Sequence, residues 1–269
     1  MSSRVLLIIA HGSRSAAWNH AIETFCSNIA APAYADKRID KVLWCYLEHA
    51  QPTIKMALEH YCQDSQTEII ALPLFLSISS HVGTDIPNEI ETVAQFVERR
   101  EGMVTYECNG NPIILLDPPP TLDVLSNNIK RRVRRLDVSM KESGLLVVYY
   151  GSSKYLRQWN HLAFNVQSRL LEYFPHTQVN WGYGGEAVDF AAEPLADILK
   201  EMLKIVQPVI IAPALVAVGI VQNKIIPEAI GQVDAGKDVI YSGDAILPDA
   251  ELEQYVLNYV HECIQRKKP

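Results

Sequence analysis

Short apolar runs alternate with longer amphipathic stretches along the whole chain. In the first half, four apolar runs of strand length are interleaved with four stretches of helical period. The first and third runs are apolar on both faces, which favours buried strands of a parallel sheet covered by helices. The sequence therefore predicts strands at 5–10, 42–47, 68–76 and 103–106, and helices at 16–29, 52–61, 87–99 and 121–136.

The second half repeats this order of elements. Its apolar runs predict strands at 145–150, 178–181, 209–216 and 238–241. The amphipathic stretches that follow them predict helices at 157–173, 194–205, 227–233 and 250–265.

Three pairs of sequence segments match between the halves, in the same order. The segment GSRSAAWNH at 12–20 matches GSSKYLRQWNH at 151–161, apart from two extra residues in the second copy. The segment IIALPLFLSISSHVGTDIP at 69–87 matches IIAPALVAVGIVQNKIIP at 210–227 when the copies are anchored on their prolines. A third pair is LDPPPTLDVL at 116–125 and ILPDAELEQYVL at 246–257.

These repeats indicate a tandem duplication with a polar, basic junction near 130–143. We therefore predict an α/β fold of two tandem similar domains, at 1–138 and 143–269. Each domain is expected to hold a parallel β-sheet of about four strands flanked by helices. The two domains are expected to face each other across a cleft.

Composition argues against several classes of protein. The formal net charge of −7 is unlike that of nucleic-acid-binding proteins, which usually present a basic face. The apolar run at 5–10 is too short for a transmembrane helix of roughly 20 residues, and no signal-peptide cleavage site follows it. The five cysteines form no C-x-x-C pair, which fits a reducing compartment better than a disulfide framework. We expect a cytoplasmic protein that binds neither nucleic acid nor membrane.

Two further signals are expected to be structural. The basic run KRRVRR at 130–135 favours a solvated helix end over a contact with nucleic acid or carboxylates. The segment GYGGE at 182–186 is glycine-rich, but no P-loop lysine follows it, so no nucleotide is expected.

Candidate chemistry lies where the predicted strands end. His11 follows the first strand, Glu48 ends the second and His81 lies just beyond the third. Ligands of an open parallel sheet bind outside the carboxyl ends of its strands, so these side chains can converge there. Two neutral imidazoles facing one crevice suit a borderline divalent metal such as Co²⁺, Ni²⁺ or Fe²⁺.

The second half does not keep this set. Tyr150 and Val221 stand where the two histidines would align, and Glu186 is the expected match of Glu48. A lone histidine is more often a surface or core residue than a ligand, and His49 is expected at or near the surface. Two histidines at one predicted ligand edge, both replaced in a copy that keeps its pattern, favour a metal site in the first half.

Three segments of the first half together resemble a known family. LLIIAHGSR at 6–14, YLEHAQPTI at 46–54 and LPLFLSISSHVGTDIP at 72–87 are similar to the signature segments of the CbiX-type sirohydrochlorin chelatases. This family resembles the class II chelatases, which insert a divalent metal into a tetrapyrrole without ATP. Its long form is a tandem of two domains, which implies here a degenerate second domain that shapes or covers the tetrapyrrole cleft.

The resemblance implies roles for the matching residues. His11 and His81 would bind the metal and act in catalysis, with Glu48 as their acidic partner. The assignment agrees with their chemistry, because a neutral histidine can accept a pyrrole proton near pH 7. An incomplete set of ligands would also release its metal to the ring more readily than a closed four-ligand site.

Substrate-binding residues are implied by the carboxylates of sirohydrochlorin. Arg14 is the first candidate for pairing with one of them, and the alternative is a surface arginine at the start of a helix. Ser13 and Ser80 would donate hydrogen bonds to the substrate or, alternatively, cap the segments that follow them.

The implied activity is that of a lyase of cobalamin or siroheme biosynthesis, which inserts a divalent metal into sirohydrochlorin or a related tetrapyrrole. Cobalt is the first expectation, and iron and nickel stay open because the same ligands suit all three. The metal is a substrate, the tetrapyrrole is the only other partner, and the duplication suggests a monomer. The alternative function is a metal or tetrapyrrole carrier without turnover.

Overall fold

The computed structural model describes residues 3–35, 37–63, 66–76, 79–233 and 238–266. It confirms an α/β fold with two sheets flanked by helices. The strands are β1 (Ser3–Ala10), β2 (Lys41–Tyr46), β3 (Thr67–Pro73), β4 (Gln95–Arg100), β5 (Met103–Cys108), β6 (Asn111–Leu116), β7 (Gly144–Tyr149), β8 (Gln178–Tyr183), β9 (Val209–Pro213) and β10 (Val239–Tyr241). The helices are α1 (Ala16–Ala35), α2 (Ile54–Tyr61), α3 (Ile86–Glu91), α4 (Leu122–Arg134), α5 (Leu156–Tyr173), α6 (Glu193–Leu203), α7 (Ile226–Gly231) and α8 (Ala250–Arg266).

The chain forms two compact units, unit 1 and unit 2. Unit 1 comprises Met1–Pro120 and Pro248–Pro269, and unit 2 comprises Thr121–Leu247. These bounds differ from the predicted halves 1–138 and 143–269, because α4 belongs to unit 2 and α8 belongs to unit 1. A cleft between two facing domains stays a prediction.

Hydrogen bonds tie each of these two helices to its unit. In unit 2, the hydroxyl of Tyr173 on α5 donates to Oδ1 of Asn127 on α4 at 2.9 Å. In unit 1, the hydroxyl of Tyr259 on α8 donates to the Asp117 carbonyl at 3.1 Å. Asn28 on α1 donates to the carboxylate of Glu253 on α8 at 2.8 Å. The last helix of each sequence repeat therefore packs on elements of the other repeat, which a linear repeat pattern does not reveal.

Unit 1 is built on a six-stranded sheet of order β2-β1-β3-β6-β5-β4. β1 pairs in parallel with both β2 and β3, so the carboxyl ends of these three strands lie at one edge of the sheet. The side chains of β1 from Val5 to Ala10 are all buried, as expected for a central strand covered on both faces.

The predicted helix at 87–99 is wrong in its second part, and the sheet of unit 1 is mixed rather than parallel. α3 ends at Glu91, and β4 forms an edge strand antiparallel to β5. Tertiary pairing overrides the helical pattern there, and the rings of Phe96 and Tyr106 pack edge to face with centroids 6.1 Å apart. The unpredicted strand β6 then joins the antiparallel β5 to the parallel β3.

Unit 2 contains a four-stranded parallel sheet of order β10-β9-β7-β8, which confirms the predicted strands of the second half. Its central strand β7 is buried along its whole length. Leu146 of β7 belongs to an apolar core with Leu199 of α6 and Ile226 of α7. The core thus lies between the sheet and the helices that connect its strands.

The basic run at 130–135 contains a buried arginine, which corrects the expectation of a fully solvated helix end. Arg132 donates to Oδ1 of Asn128 at 2.9 Å, to Oδ1 of Asp244 at 2.7 Å and to the Pro213 carbonyl at 2.5 Å. These bonds join α4 to the end of β9, because α4 packs inside unit 2 rather than lying in a linker.

Cys62 and Cys108 form a disulfide, although the cysteine pattern favoured a reducing compartment over a disulfide framework. Cys62 lies at the end of α2 and Cys108 ends β5, and their Cα atoms are 5.7 Å apart, within the range of protein disulfides. The two residues are 46 positions apart in the sequence, which gives no sign of their proximity.

Among the described residues, no helix has the length and apolar character needed to cross a membrane.

Candidate metal centre

Backbone hydrogen bonds bring the predicted site residues to one edge of the unit 1 sheet. The ladder between β1 and β2 continues past both strands, because Glu48 N donates to the His11 carbonyl at 3.0 Å. On the other side of β1, Leu74 N donates to the Ile9 carbonyl at 2.8 Å and extends the pairing with β3. The chain after β3 leads to His81, which begins a π-helical turn, His81–Asp85. Three separate segments thus present side chains at the same edge.

Gly12 allows this close approach of the chain after β1 to the chain after β2. Its φ is +88°, a left-handed conformation that is costly for residues with a side chain. A Cβ atom at this position would lie 1.9 Å from the carbonyl oxygen of Glu48 and 3.0 Å from Cβ of Tyr46. The glycine of the HGS segment is therefore required for the position of Glu48 as well as for the turn.

His11, Glu48 and His81 form a compact cluster of potential metal ligands. Nε2 of His11 lies 3.0 Å from Oε1 of Glu48. The rings of His11 and His81 meet edge to face, with centroids 4.8 Å apart. One ligand atom from each of the three residues lies within 4.8 Å of the others, and all three side chains are partly exposed. The structure therefore brings together the three residues that were predicted as ligands.

The hydrogen bonds of the two imidazoles direct one nitrogen of each toward the cluster. Nδ1 of His11 is 2.9 Å from the Gly12 carbonyl, which can only accept, so Nδ1 carries the proton and Nε2 of the neutral ring faces Glu48. Burial lowers the pKa of His11 below its usual value, and the neighbouring His81 and His49 act in the same direction. The Gly12 hydrogen bond and Glu48 oppose this shift. A cation between Nε2 and the carboxylate would be attracted by both.

Asp85 is a site residue that the sequence analysis did not identify. Its Oδ2 accepts from Nδ1 of His81 at 2.8 Å, within the same π-helical turn. A carboxylate behind a histidine fixes the tautomer and leaves Nε2 free as a ligand. The four-residue spacing of H-x-x-x-D was the available signal, since a turn of helix brings such positions together.

The three predicted substrate-binding residues lie near the cluster in sequence but differ in their surroundings. Ser13 N donates to Oδ1 of Asn19 at 3.0 Å, and Ser13 Oγ accepts from Ser15 N at 3.1 Å, which agrees with the capping alternative. Ser80 precedes the π-helical turn without capping it through its side chain. Arg14 is exposed. Contact of any of them with substrate stays a prediction, and residues 77 and 78 of the third motif lie outside the described residues.

His49 also lies beside the cluster, although its sequence position gave no reason to include it. Nε2 of His49 is 3.7 Å from Oε1 of Glu48, and its ring centroid is 6.1 Å from that of His11. The side chain is 41% exposed, in agreement with the expected surface position.

The corresponding edge of unit 2 has the same backbone pattern with different side chains. The register β7–β8 pairs Tyr149 with Tyr183, and Gly185 N donates to the Tyr150 carbonyl at 2.9 Å. Tyr150 therefore takes the place of His11, as predicted. The expected match of Glu186 with Glu48 is wrong by one position, because Gly185 occupies the equivalent place in the ladder.

The position of His81 is likewise replaced in unit 2. A second π-helical turn, Val221–Ile225, follows β9 and begins with Val221, as the repeat alignment predicted. Val221 is buried and has no ligand atom. Within the described ranges, the one cluster of three or more potential ligands is that of unit 1.

Comparison with known proteins also distinguishes the first half of the chain from the second. The family model described as CbiX matches residues 5–109, which include all three clustered residues. A sirohydrochlorin cobaltochelatase of Methanococcoides burtonii is 32% identical over 134 residues, which are 49% of this chain and 96% of that protein.

Two solved structures share the fold along nearly the whole chain. SirB from Bacillus subtilis with Fe³⁺ aligns with a TM-score of 0.72 at 19% identity and covers 97% of this chain and 95% of that one. The sirohydrochlorin chelatase SirB from Bacillus subtilis subspecies spizizenii, in complex with cobalt, aligns with a TM-score of 0.72 at 17% identity and covers 99% and 97%. The identity to the M. burtonii protein along almost its full length decides the family. The chain belongs to the CbiX family.

Proposed function

We propose that this protein is a sirohydrochlorin chelatase, which inserts a divalent metal into the tetrapyrrole ring without ATP. The observation that carries the proposal is the cluster of His11, Glu48 and His81, whose ligand atoms lie within 4.8 Å of one another. This cluster falls in the part of the chain that the CbiX family model matches. The names of the relatives, sirohydrochlorin cobaltochelatases, support the same substrate.

The ligand set suits a metal that is a substrate rather than a resident ion. Two imidazoles and one carboxylate form an incomplete set, which leaves coordination positions for water or for the incoming ring nitrogens. All three side chains are partly exposed, so a hydrated ion can reach them. The metal can then pass to the four nitrogens of the macrocycle.

Insertion also requires that two pyrrole nitrogens lose their protons. The lowered pKa of His11 keeps the ring neutral near pH 7, so that it can accept a proton when it is not holding the metal. Asp85 holds Nδ1 of His81 and directs Nε2 outward, which is the orientation a ligand or a base needs. Glu48 lies 3.0 Å from His11 and can receive a proton from it.

We infer cobalt as the first metal, because the similar proteins are named cobaltochelatases and SirB, which has the same fold, forms a complex with cobalt. Iron and nickel bind the same types of ligand, so the order of the three metals is a matter for direct measurement. We further propose that Arg14, Ser13 and Ser80 contact the carboxylates of the ring.

The test is the anaerobic absorbance of sirohydrochlorin mixed with Co²⁺, Fe²⁺ or Ni²⁺, with and without protein. We expect the wild-type protein to accelerate the spectral change of metal insertion, and His11→Ala to lose most of that acceleration. His20→Ala is the matched control, because His20 is 78% exposed on α1 and should keep the wild-type rate. If no metal is inserted faster than in buffer and the tetrapyrrole spectrum only shifts on binding, the protein is a carrier.

A further inference from the structure

His49 stands at the outer side of the metal cluster in an unusual backbone conformation. Its φ is +64°, a left-handed value that few residues with side chains adopt, although histidine is among the more tolerant. His49 directly follows Glu48 in the sequence. In this conformation the His49 ring lies beside the Glu48 carboxylate, with Nε2 3.7 Å from Oε1. Backbone outliers of this kind are concentrated at binding and catalytic sites.

Glu48 is shared between two histidines. The same Oε1 atom lies 3.0 Å from Nε2 of His11 and 3.7 Å from Nε2 of His49. A borderline divalent ion binds nitrogen and oxygen at about 2.0–2.2 Å, so two atoms that hold one ion are at most about 4.4 Å apart. Both pairs fall below this limit, and Glu48 with His49 can therefore hold an ion as placed.

We call His11 and His81 the inner pair and Glu48 and His49 the outer pair. The side chains of the outer pair are more exposed than those of the inner pair. His81 and His11 are 29% and 32% exposed, whereas His49 and Glu48 are 41% and 43% exposed. An ion that arrives from solvent with its water shell can thus reach the outer pair with less displacement of protein atoms. Water ligands would be replaced one after another as the ion moves from the outer pair to the inner one.

We propose that His49 is an additional metal ligand, which together with Glu48 captures the divalent cation before it reaches His11 and His81. This inference rests on the proposed function for its role in insertion, but the capture of the cation can be measured on its own. Imidazole nitrogen is a preferred donor for Co²⁺, Ni²⁺ and Fe²⁺, which matches the metals considered for the reaction.

The first measurement is the affinity of the metal-free protein for Co²⁺ alone, by competition with a chromophoric chelator. His49→Asn and His49→Gly are the variants, because both residues tolerate the left-handed backbone and leave Glu48 in place. We expect both variants to bind Co²⁺ about tenfold more weakly, a loss typical of a disturbed metal site. Circular dichroism establishes that each variant is folded.

A matched control is available on α1. His20 lies 3.7 Å from Glu23, the same separation as the His49–Glu48 pair, and is well exposed. Its partner Glu23, unlike Glu48, belongs to no cluster of three potential ligands in the part of the chain that the structure describes. His20→Asn should therefore bind Co²⁺ with wild-type affinity, which separates loss of a ligand from loss of any surface histidine.

The second measurement is the rate of insertion as Co²⁺ is varied at saturating sirohydrochlorin. Capture by His49 predicts that His49→Asn raises KM for Co²⁺ about tenfold, with a much smaller change in kcat. Wild-type Co²⁺ affinity and wild-type KM in both His49 variants would overturn the inference. If the wild-type protein binds Co²⁺ in a His49-dependent manner but inserts no metal, the proposed function fails and the ligand assignment holds.

Discussion

Substitution of Gly12 by alanine tests whether the approach of two backbone segments builds the metal centre. The new Cβ would lie 1.9 Å from the carbonyl oxygen of Glu48, and real contacts of this kind are longer than 3.0 Å. The two segments must therefore separate by more than about 1 Å. Because Glu48 moves with its carbonyl, its carboxylate would also leave its place beside His11.

Gly102 provides a control that separates the cost of the left-handed backbone conformation from the cost of steric overlap. Gly102, in the turn between β4 and β5, has φ of +78°, close to the +88° of Gly12, but a Cβ there meets no atom within 4 Å. Gly102→Ala should lose about 1–2 kcal/mol of unfolding free energy, the cost of a side chain in the left-handed region. Gly12→Ala should lose about 1–3 kcal/mol more through steric overlap.

The assay combines urea unfolding with the rate of metal insertion. We expect Gly12→Ala to remain folded at low temperature but to insert metal about 100-fold more slowly, because a displacement of 1 Å at a reacting site costs about this much. Gly102→Ala should keep the wild-type rate. Equal losses of stability and equal rates in the two variants would refute the argument that Gly12 positions Glu48.

Three further predictions concern protonation, the disulfide and unit 2. Because burial lowers the pKa of His11 below its usual value near 6.5, the unfolded chain binds a proton at this residue first as the pH falls. His11 therefore lowers the free energy of unfolding below about pH 6.5. The rate of metal insertion should decline only below that pH. An NMR titration of the His11 ring that gives a pKa above 6.5 would contradict both expectations. Reduction should lower the urea midpoint of the wild-type protein but not of Cys62→Ser, with a loss of up to about 4 kcal/mol for a loop of 46 residues. The triple variant Tyr150→His, Gly185→Glu, Val221→His should bind no additional Co²⁺ by equilibrium dialysis, and a second bound ion would show that unit 2 retains room for the site.

Much of the fold follows from patterns that span one element. The period of the apolar residues predicted the strands of unit 2 and the parallel core of unit 1, because buried parallel strands are apolar on both faces. The site was predictable for a related reason. Parallel strands end at one edge, so His11, Glu48 and His81 could be placed together without knowledge of any distance.

The errors occur where partners are distant in sequence. Residues 95–100 have a helical pattern but form β4, because pairing with β5 outweighs local propensity. The exchange of α4 and α8 between units, the burial of Arg132 and the Cys62–Cys108 disulfide all depend on tertiary neighbours. Asp85 was missed although its four-residue spacing from His81 was a usable signal, because a π-helical turn was not predicted there. His49 was missed because a histidine beside a motif residue has no distinguishing pattern until its atoms are placed.

Each unit has the same backbone arrangement at the carboxyl edge of its sheet, but the space around that backbone differs between the units. In both, an amide after the second strand of the unit donates to the carbonyl of the residue after the first, Glu48 to His11 and Gly185 to Tyr150. A Cβ on Gly185 would lie 2.6 Å from the Tyr150 carbonyl oxygen, whereas Glu48 carries a side chain at the matching position. Replacement of the Tyr150 ring would not remove this contact, because it involves the backbone. Unit 2 has therefore lost the room for the carboxylate as well as the two imidazoles, and recovery of the ligand set would require movement of the loop after β8.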